Sequence, residues 1–141
     1  MAVERTLSLI KPDAVRRALS GAVNHRIEGH GLKIVAQKRL RLSYEQAAAF
    51  YAVHKERSFF KDLCTYMSSG PLVAQILEGE DAVVAYRTLM GDTNPTSAAA
   101  GTLRKEFGLS IEENTVHGSD SVANAAQEMG FFFSQLEIYP A

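Results

Sequence analysis

Cysteine is almost missing from this chain, and Cys64 alone can close no intramolecular disulfide and build no cysteine-cluster zinc site. Charge of one sign is missing too. Lys and Arg total 15 against 16 Asp and Glu, a formal net charge of −1. A basic nucleic-acid-binding surface of the usual kind is therefore not expected, although a local basic pocket fits that balance. No apolar stretch approaches the ~20 residues of a membrane span. The N-terminal Met-Ala-Val-Glu-Arg carries no apolar run like that of a signal peptide. The simplest expectation is a cytoplasmic protein in a reducing setting, with no membrane partner. Nucleotide motifs are absent as well. Neither G-x-x-x-x-G-K-[ST] nor G-x-G-x-x-G occurs, so the usual backbone cradles for phosphate are not available, and there is no H-E-x-x-H. Any phosphate bound here must be held by side-chain cations and hydroxyls.

What is present is an ordinary globular balance. Hydrophobic residues make up 46% of 141 and charged residues 22%, enough to fill one core, so residues 1–141 read as a single domain. Residues 6–10 alternate polar and apolar side chains, the period of a strand with one wetter face. Residues 21–28 read as a helix, with Val23 and Ile27 one turn apart. Leu32, Ile34, Ala36, Leu40 and Leu42 share a parity that predicts a long half-buried strand. Ser43 and Gln46 form a capping box for a helix reaching Tyr51. A further helix follows Ser58, with Phe60, Leu63, Cys64 and Met67 inward, and residues 72–77 form a buried strand. Glu80 and Asp81 suit the start of the next helix, whose inner face is Val83, Tyr86 and Met90, with Gly91 as its cap.

Between Gly91 and Glu113 only residues 102–107 read as helical. So long an irregular segment in a small domain is usually functional. A short strand within 111–117 and a helix over 121–132 complete the chain. Strands and helices alternate as expected for an α+β, ferredoxin-like split βαβ sandwich: an antiparallel sheet with helices packed on it.

The segment Asn114-Thr115-Val116-His117-Gly118-Ser119-Asp120 carries the chemistry. It sets one histidine among a glycine and small hydrogen-bonding residues, just before a helix start. A neutral imidazole is a good nucleophile near pH 7. An arbitrary histidine is usually bland, but this stretch resembles the active-site signature of the nucleoside diphosphate kinases. The blocks R-T-L-S-L-I-K-P-D-A-V (5–15), H-K-E-R-S-F-F (54–60), S-G-P-L-V (69–73), G-D-T-N-P (91–95) and A-G-T-L-R (100–104) fit that family in order and spacing. The similarity runs from about Glu4 to Phe133.

The resemblance implies the same fold, and a γ-phosphate transfer from a nucleoside triphosphate to a nucleoside diphosphate through a phosphorylated His117. It implies that Arg87, Thr93 and Arg104 contact phosphates, and that Lys11 and Asn114 hold the ribose and the transferring phosphate. An arbitrary Lys or Arg is usually a solvated surface residue. It further implies that Phe59 is a lid on which the base stacks; a ring face accepts any base, so broad base tolerance is expected. Tyr51, Ser119 and Glu128 are implied to support the imidazole, although a tyrosine or glutamate on an amphipathic helix is ordinarily structural. His25, His30 and His54 are left as structural or surface residues.

Mg²⁺ is implied as an ion arriving with the nucleotide, since no dedicated carboxylate cage is visible. A homo-oligomer built from dimers, tetrameric or hexameric, is implied too, with Ile138 and Tyr139 as exposed apolar contact residues. Ser58 and Ala100 stand where the family often has proline. Ser20 replaces a common branched apolar residue, Asp92 adds a negative charge beside Thr93, and Gly130 weakens the last helix. Two other readings are a histidine phosphocarrier serving a protein partner and a silent nucleotide-binding scaffold of the same fold.

Overall fold

In the computed structural model, which describes residues 3–140, β1 (Val3–Ile10) lies inside the sheet and is buried on both faces from Thr6 onward. This corrects the expectation of a wetter face: Thr6 and Ser8 are both 0% exposed. The alternation is real, but its polar side meets a second layer of helices instead of water. Met1, Ala2 and Ala141, at the ends of the expected domain, lie outside the described residues.

A short helix, α1 (Pro12–Arg16), follows where the sequence reads only a strand end. Pro12 sits in its first turn, where a missing N–H removes no helical bond. The next helix, α2 (Ser20–Gly29), buries Val23 and Ile27 as its period requires. The strand β2 (Lys33–Leu40) departs from the expected uniform parity at a bulge between Ile34 and Ala36. Leu32 and Ile34 pack on one face of the sheet, Val35, Ala36 and Leu40 on the other.

The capping box opens α3 (Tyr44–Phe50): Gln46 N–H donates to Ser43 Oγ at 3.0 Å, and Ser43 N–H to Gln46 Oε1 at 2.9 Å. Tyr51 ends that helix and leads into a 3₁₀ turn, Ala52–His54. The inner side of α4 (Phe60–Met67) is Cys64 and Met67 as expected, with Tyr66 added. Beyond it, β3 (Leu72–Glu80) extends past the apolar run, and α5 (Ala82–Met90) ends at Gly91, whose φ of 85° favours glycine.

A 3₁₀ turn at Pro95–Ser97 precedes α6 (Leu103–Phe107), then β4 (Val116–Gly118) and α7 (Val122–Phe132). Thr102 and Ser121 cap α6 and α7 by accepting from the Lys105 and Asn124 N–H groups. Gly130 leaves open space, with nothing within 4 Å of an added Cβ, so its cost to α7 is backbone entropy, roughly 0.5–1 kcal/mol relative to Ala.

Among the described residues the sheet has four strands in the order β2-β3-β1-β4, every neighbouring pair antiparallel. This is the ferredoxin-like split βαβ arrangement. The helices α3, α4 and α7 cover one face around Leu7, Leu9, Met67 and Ile76. The other face is covered by α1, α2, α5 and α6, around Ile10, Ile27, Tyr86 and Leu103. A fully buried Leu or Ile contributes roughly 1.5–3 kcal/mol, so β1 and β3 anchor the sheet from which the three-residue β4 hangs. Ile138 departs from expectation, since it packs against the core; Tyr139 remains 76% exposed while its N–H bonds Val35 O at 2.9 Å. No helix among the described residues is long and apolar enough to cross a membrane.

Candidate active site

Thr115 precedes β4 with φ of 80°, a conformation that a β-branched residue rarely takes. Val116 N–H donates to Asn114 O at 2.9 Å across it, closing a tight three-residue turn. Strain of this kind persists only where the surroundings enforce it. Lys11 N–H supplies one restraint, bonding Thr115 O at 2.9 Å. The turn brings Asn114 and His117 into the wall of one cleft of about 930 Å³.

His117 stands on β4 opposite Leu9 of β1. Its Nε2 lies 2.9 Å from Glu128 Oε1, and the Ser119 hydroxyl donates to the same oxygen at 2.8 Å. An imidazole that donates Nε2–H to a carboxylate keeps its lone pair on Nδ1. Among the described residues no protein group bonds Nδ1. Burial pushes the Glu128 carboxyl up, but the bond and charge of His117 and the bond from Ser119 outweigh it, so it sits below the usual carboxylate range. Phe50 and Tyr51 press ring edges against the imidazole at centroid distances of 5.5 and 6.0 Å. The Tyr51 hydroxyl is buried without a partner, and burial, with the Glu128 charge, holds it far above the ordinary phenol value.

Cations gather beside the imidazole. Lys11 Nζ donates to Asn114 Oδ1 at 2.8 Å, and Asn114 Nδ2 donates to Thr93 O at 3.0 Å. Burial, then the positive Arg104, lowers the Lys11 pKa to about 8, while Asp13 and Glu112 act the other way. Arg104 is buried; its Nη1 donates to Gly91 O at 3.0 Å and its Nη2 to Val116 O at 2.9 Å. Arg87, on α5, is exposed, with Nη1 3.5 Å from Gly118 O. The turn bearing Lys11 is itself tied down, because Asp13 N–H donates to Tyr66 Oη at 3.0 Å and Tyr66 donates back to the Asp13 carboxylate.

Part of the cleft wall is aromatic. Phe59 is 47% exposed, and the His54 ring lies 5.6 Å from it and 6.4 Å from Tyr51. Of the residues singled out from the sequence, Lys11, Tyr51, Phe59, Arg87, Thr93, Arg104, Asn114, His117 and Glu128 all line the cleft. Ser119 lies behind Glu128. Phe50, His54, Glu112 and Asp120 line it as well and were not singled out. His54 opens a block matched to the family (54–60), which was the available signal; the others become visible only once the turn and α7 are folded.

Asp92 is less intrusive than its charge suggests, since it accepts Asn94 N–H at 2.9 Å within its own turn. The missing proline at Ala100 is offset by bonds to the same loop: Arg26 to Gly101 O, and Thr102 Oγ1 to Ala99 O.

Among the described residues no three His, Cys, Asp or Glu side chains cluster as a metal cage. Glu128 is engaged by His117 and Ser119, and Asp120 Oδ1 accepts from Asn124 Nδ2, so the wall carboxylates left to face a cation are Glu112 and the second oxygen of Asp120. This donor set fits a hard divalent ion held mainly by a ligand's own phosphates.

Residues 4–138 match the family model described as nucleoside diphosphate kinase. The chain is 63% identical over 138 residues to the nucleoside diphosphate kinase of Maricaulis maris, covering 98% of this chain and 99% of that one. Among solved structures, that of the Aquifex aeolicus nucleoside diphosphate kinase aligns with a TM-score of 0.95 at 44% identity, covering 97% of this chain and 99% of that one. A halophilic nucleoside diphosphate kinase from Halobacterium salinarum in complex with CDP aligns with a TM-score of 0.95 at 38% identity, covering 99% and 93%.

Proposed function

This chain belongs to the nucleoside diphosphate kinase family of phosphotransferases, and from that premise we propose that it moves the γ-phosphate of a nucleoside triphosphate onto a nucleoside diphosphate through a phosphorylated His117. The observation that carries the reading is one imidazole with Nε2 held by Glu128 and Nδ1 open to a cleft that Lys11, Arg87 and Arg104 also line. The likeness to a relative with bound CDP supports a nucleotide as the occupant.

Nδ1 attacks the γ-phosphorus in line; the new N–P bond forms as the bond to the β,γ-bridging oxygen breaks, and the diphosphate leaves. Glu128 accepts the Nε2 proton's hydrogen bond and stabilises the positive charge that the ring gains. A second diphosphate enters the same cleft and the steps run backwards. Phosphoryl transfer asks mainly for positioning and neutralisation of charge. In this reading Lys11, Arg87 and Arg104 neutralise charge, Asn114 and Thr93 orient the phosphates and ribose, and Tyr51 braces the imidazole. Phe59 stacks on the base and reads none of its edges, so broad base specificity follows. Mg²⁺, when bound, would supply neutralisation of phosphate charge, and Asp120 and Glu112 are the wall carboxylates that would face it. A cytoplasmic homo-oligomer built from dimers is the assembly proposed with this activity, on residues 1–141 as one domain.

The phosphocarrier reading keeps His117 but gives no part to Phe59, Arg87 or Arg104. One assay separates the readings. Incubation with γ-labelled ATP is expected to leave acid-labile label on the protein, and added GDP to remove it as labelled GTP. Label that GDP cannot discharge would favour the carrier, and no label at all the silent scaffold.

The Lys11 ammonium sets a pH dependence. Its folded pKa of about 8 lies below the ordinary lysine value of 10.5. Between those values the unfolded chain binds more protons than the folded one, so Lys11 makes stability rise with pH across that window. Activity should run in the opposite direction, because the free enzyme loses the cation that meets the phosphates. The expected result is a kcat/KM for nucleotide that falls above about pH 8, with that limb absent from the residual activity of Lys11→Gln. Identical alkaline limbs in the two proteins would exclude Lys11 as its source.

A further inference from the structure

A polar row crosses all four strands on the face of the sheet turned away from His117. Gln37 is in register with Gln75, Gln75 with Ser8, and Ser8 with Gly118. Gln75 and Ser8 are 0% exposed. A buried amide and hydroxyl are costly in a core unless they are bonded, and here they bond each other. Gln37 Nε2 donates to Gln75 Oε1 at 2.7 Å; Gln75 Nε2 donates to Asn24 Oδ1 at 2.9 Å and to Ser8 Oγ at 3.3 Å. The chain of bonds ends on α5, where Tyr86 Oη lies 2.7 Å from Ser8 Oγ.

The last place in the row, at Gly118, has no side chain, and the Tyr86 ring and the end of Met90 share its space. A Cβ added to Gly118 would stand 2.8 Å from both Met90 Cε and Tyr86 Cδ2, closer than such contacts allow; the methionine tail is flexible, whereas the ring is held by its hydroxyl. The backbone of β4 therefore rests directly on a ring whose hydroxyl is anchored to β1. This contact matters because β4 is short and has β1 as its strand partner. Its carbonyls also meet both arginines: Val116 O accepts from Arg104 Nη2 at 2.9 Å, and Gly118 O lies 3.5 Å from Arg87 Nη1. His117 sits between those two carbonyls and points to the opposite face. Neither Ser8, Gln75 nor Tyr86 lines the cleft, so none of them touches a ligand there.

We propose that Tyr86, held by the Ser8 hydroxyl and the buried Gln75, is a positioning residue for His117: it sets how closely β4 lies on α5, and so where the imidazole stands relative to Arg87 and Arg104. This inference rests on His117 being the phosphoryl carrier.

The test uses the full chain with Tyr86→Phe, which keeps the ring and deletes its anchor, and Ser8→Ala, which keeps Tyr86 and deletes the partner. Three readouts are taken well below each variant's unfolding temperature: the saturating single-turnover rate of His117 phosphorylation by ATP, the Kd for ADP, and the His117 imidazole ¹⁵N resonances without nucleotide. Each variant is expected to lose roughly three- to tenfold in saturating rate, short of the ~100-fold that a full ångström of misplacement can cost. ADP affinity should hold within about twofold, and the resonances should move. The double variant should be no slower than the slower single one, because both substitutions break one device.

A folded Tyr86→Phe protein with unchanged rate and unmoved resonances, whatever its stability, would overturn the proposal. If that variant does not fold, Ser8→Ala carries the same expectations and the same power to refute. If the unaltered protein takes no label on His117, the functional reading fails separately, and the resonances still decide whether Tyr86 places the ring.

Discussion

Glutamine at position 117 is expected to lower nucleoside diphosphate kinase turnover by roughly 10⁴-fold or more, the scale seen when a nucleophile is removed. Acid-labile label from γ-labelled ATP should vanish with it. Glutamine is a demanding test because its amide can still donate to Glu128, leaving the bond that holds α7 against β4. What it lacks is a nucleophilic nitrogen where Nδ1 stood. Of the other nucleophiles, His54 also lines the cleft but has no carboxylate partner among the described residues to orient its ring as Glu128 orients His117, and Cys64 is buried in the core, where burial pushes its thiol pKa up, away from the reactive thiolate. A folded His117→Gln protein, with an unchanged unfolding midpoint, that exchanges phosphate at the parent rate would end the phosphohistidine mechanism. Partial recovery of exchange by free imidazole in His117→Ala would place the loss in the missing ring.

Much of the fold was legible because its signals are local. The Ser43–Gln46 capping box, the Val23–Ile27 spacing and the glycine after Met90 each announce an element from a few adjacent residues, and each is present. The failures have a common cause in packing. Alternation at 6–10 tells which residues share a side, and says nothing about whether water or helices lie on the polar side; α2 and α5 cover it. The bulge at Val35 is a register event between β2 and β3, and a single strand's pattern cannot reveal it. Ile138 looked exposed because it is near the chain end, yet it packs into the core of α3, α4 and α7.

The site divides along the same line. Lys11, Arg87, Arg104 and His117 were legible through motif resemblance, at positions distant in sequence. Physical reading of the residues alone would have left the arginines as solvated surface. Phe50 and Asp120 come to the cleft only through the 3₁₀ exit of α3 and the start of α7, and these are tertiary facts. The strained Thr115 turn had no advance sign at all, since threonine is a poor residue for positive φ.

Arg104 carries the second large expectation. Its guanidinium is buried, and burial, opposed by nearby Tyr86, holds its pKa below the ordinary arginine value. Two of its N–H groups already hold Gly91 O and Val116 O, while the buried Nε has no protein partner. An arginine spent only on bracing β4 would not need to line the cleft, which Arg104 does. In the proposed reaction its charge faces the phosphates where negative charge shifts during transfer. Removing it as Arg104→Ala is expected to cost about 3–4 kcal/mol of transition-state stabilisation, a loss of roughly 10²–10³ in turnover.

Arg104→Lys separates the two roles. A lysine keeps a point charge and loses the rigid fork that can hold two carbonyls while facing an anion. Its turnover should therefore fall between that of the parent and that of Arg104→Ala, with both variants losing thermal stability through the freed carbonyls. Saturating turnover measured below both unfolding transitions is the deciding quantity. Equal and small losses in the two variants, matched by a drop in unfolding temperature alone, would make Arg104 a brace for β4 and leave Lys11 and Arg87 to neutralise the phosphates.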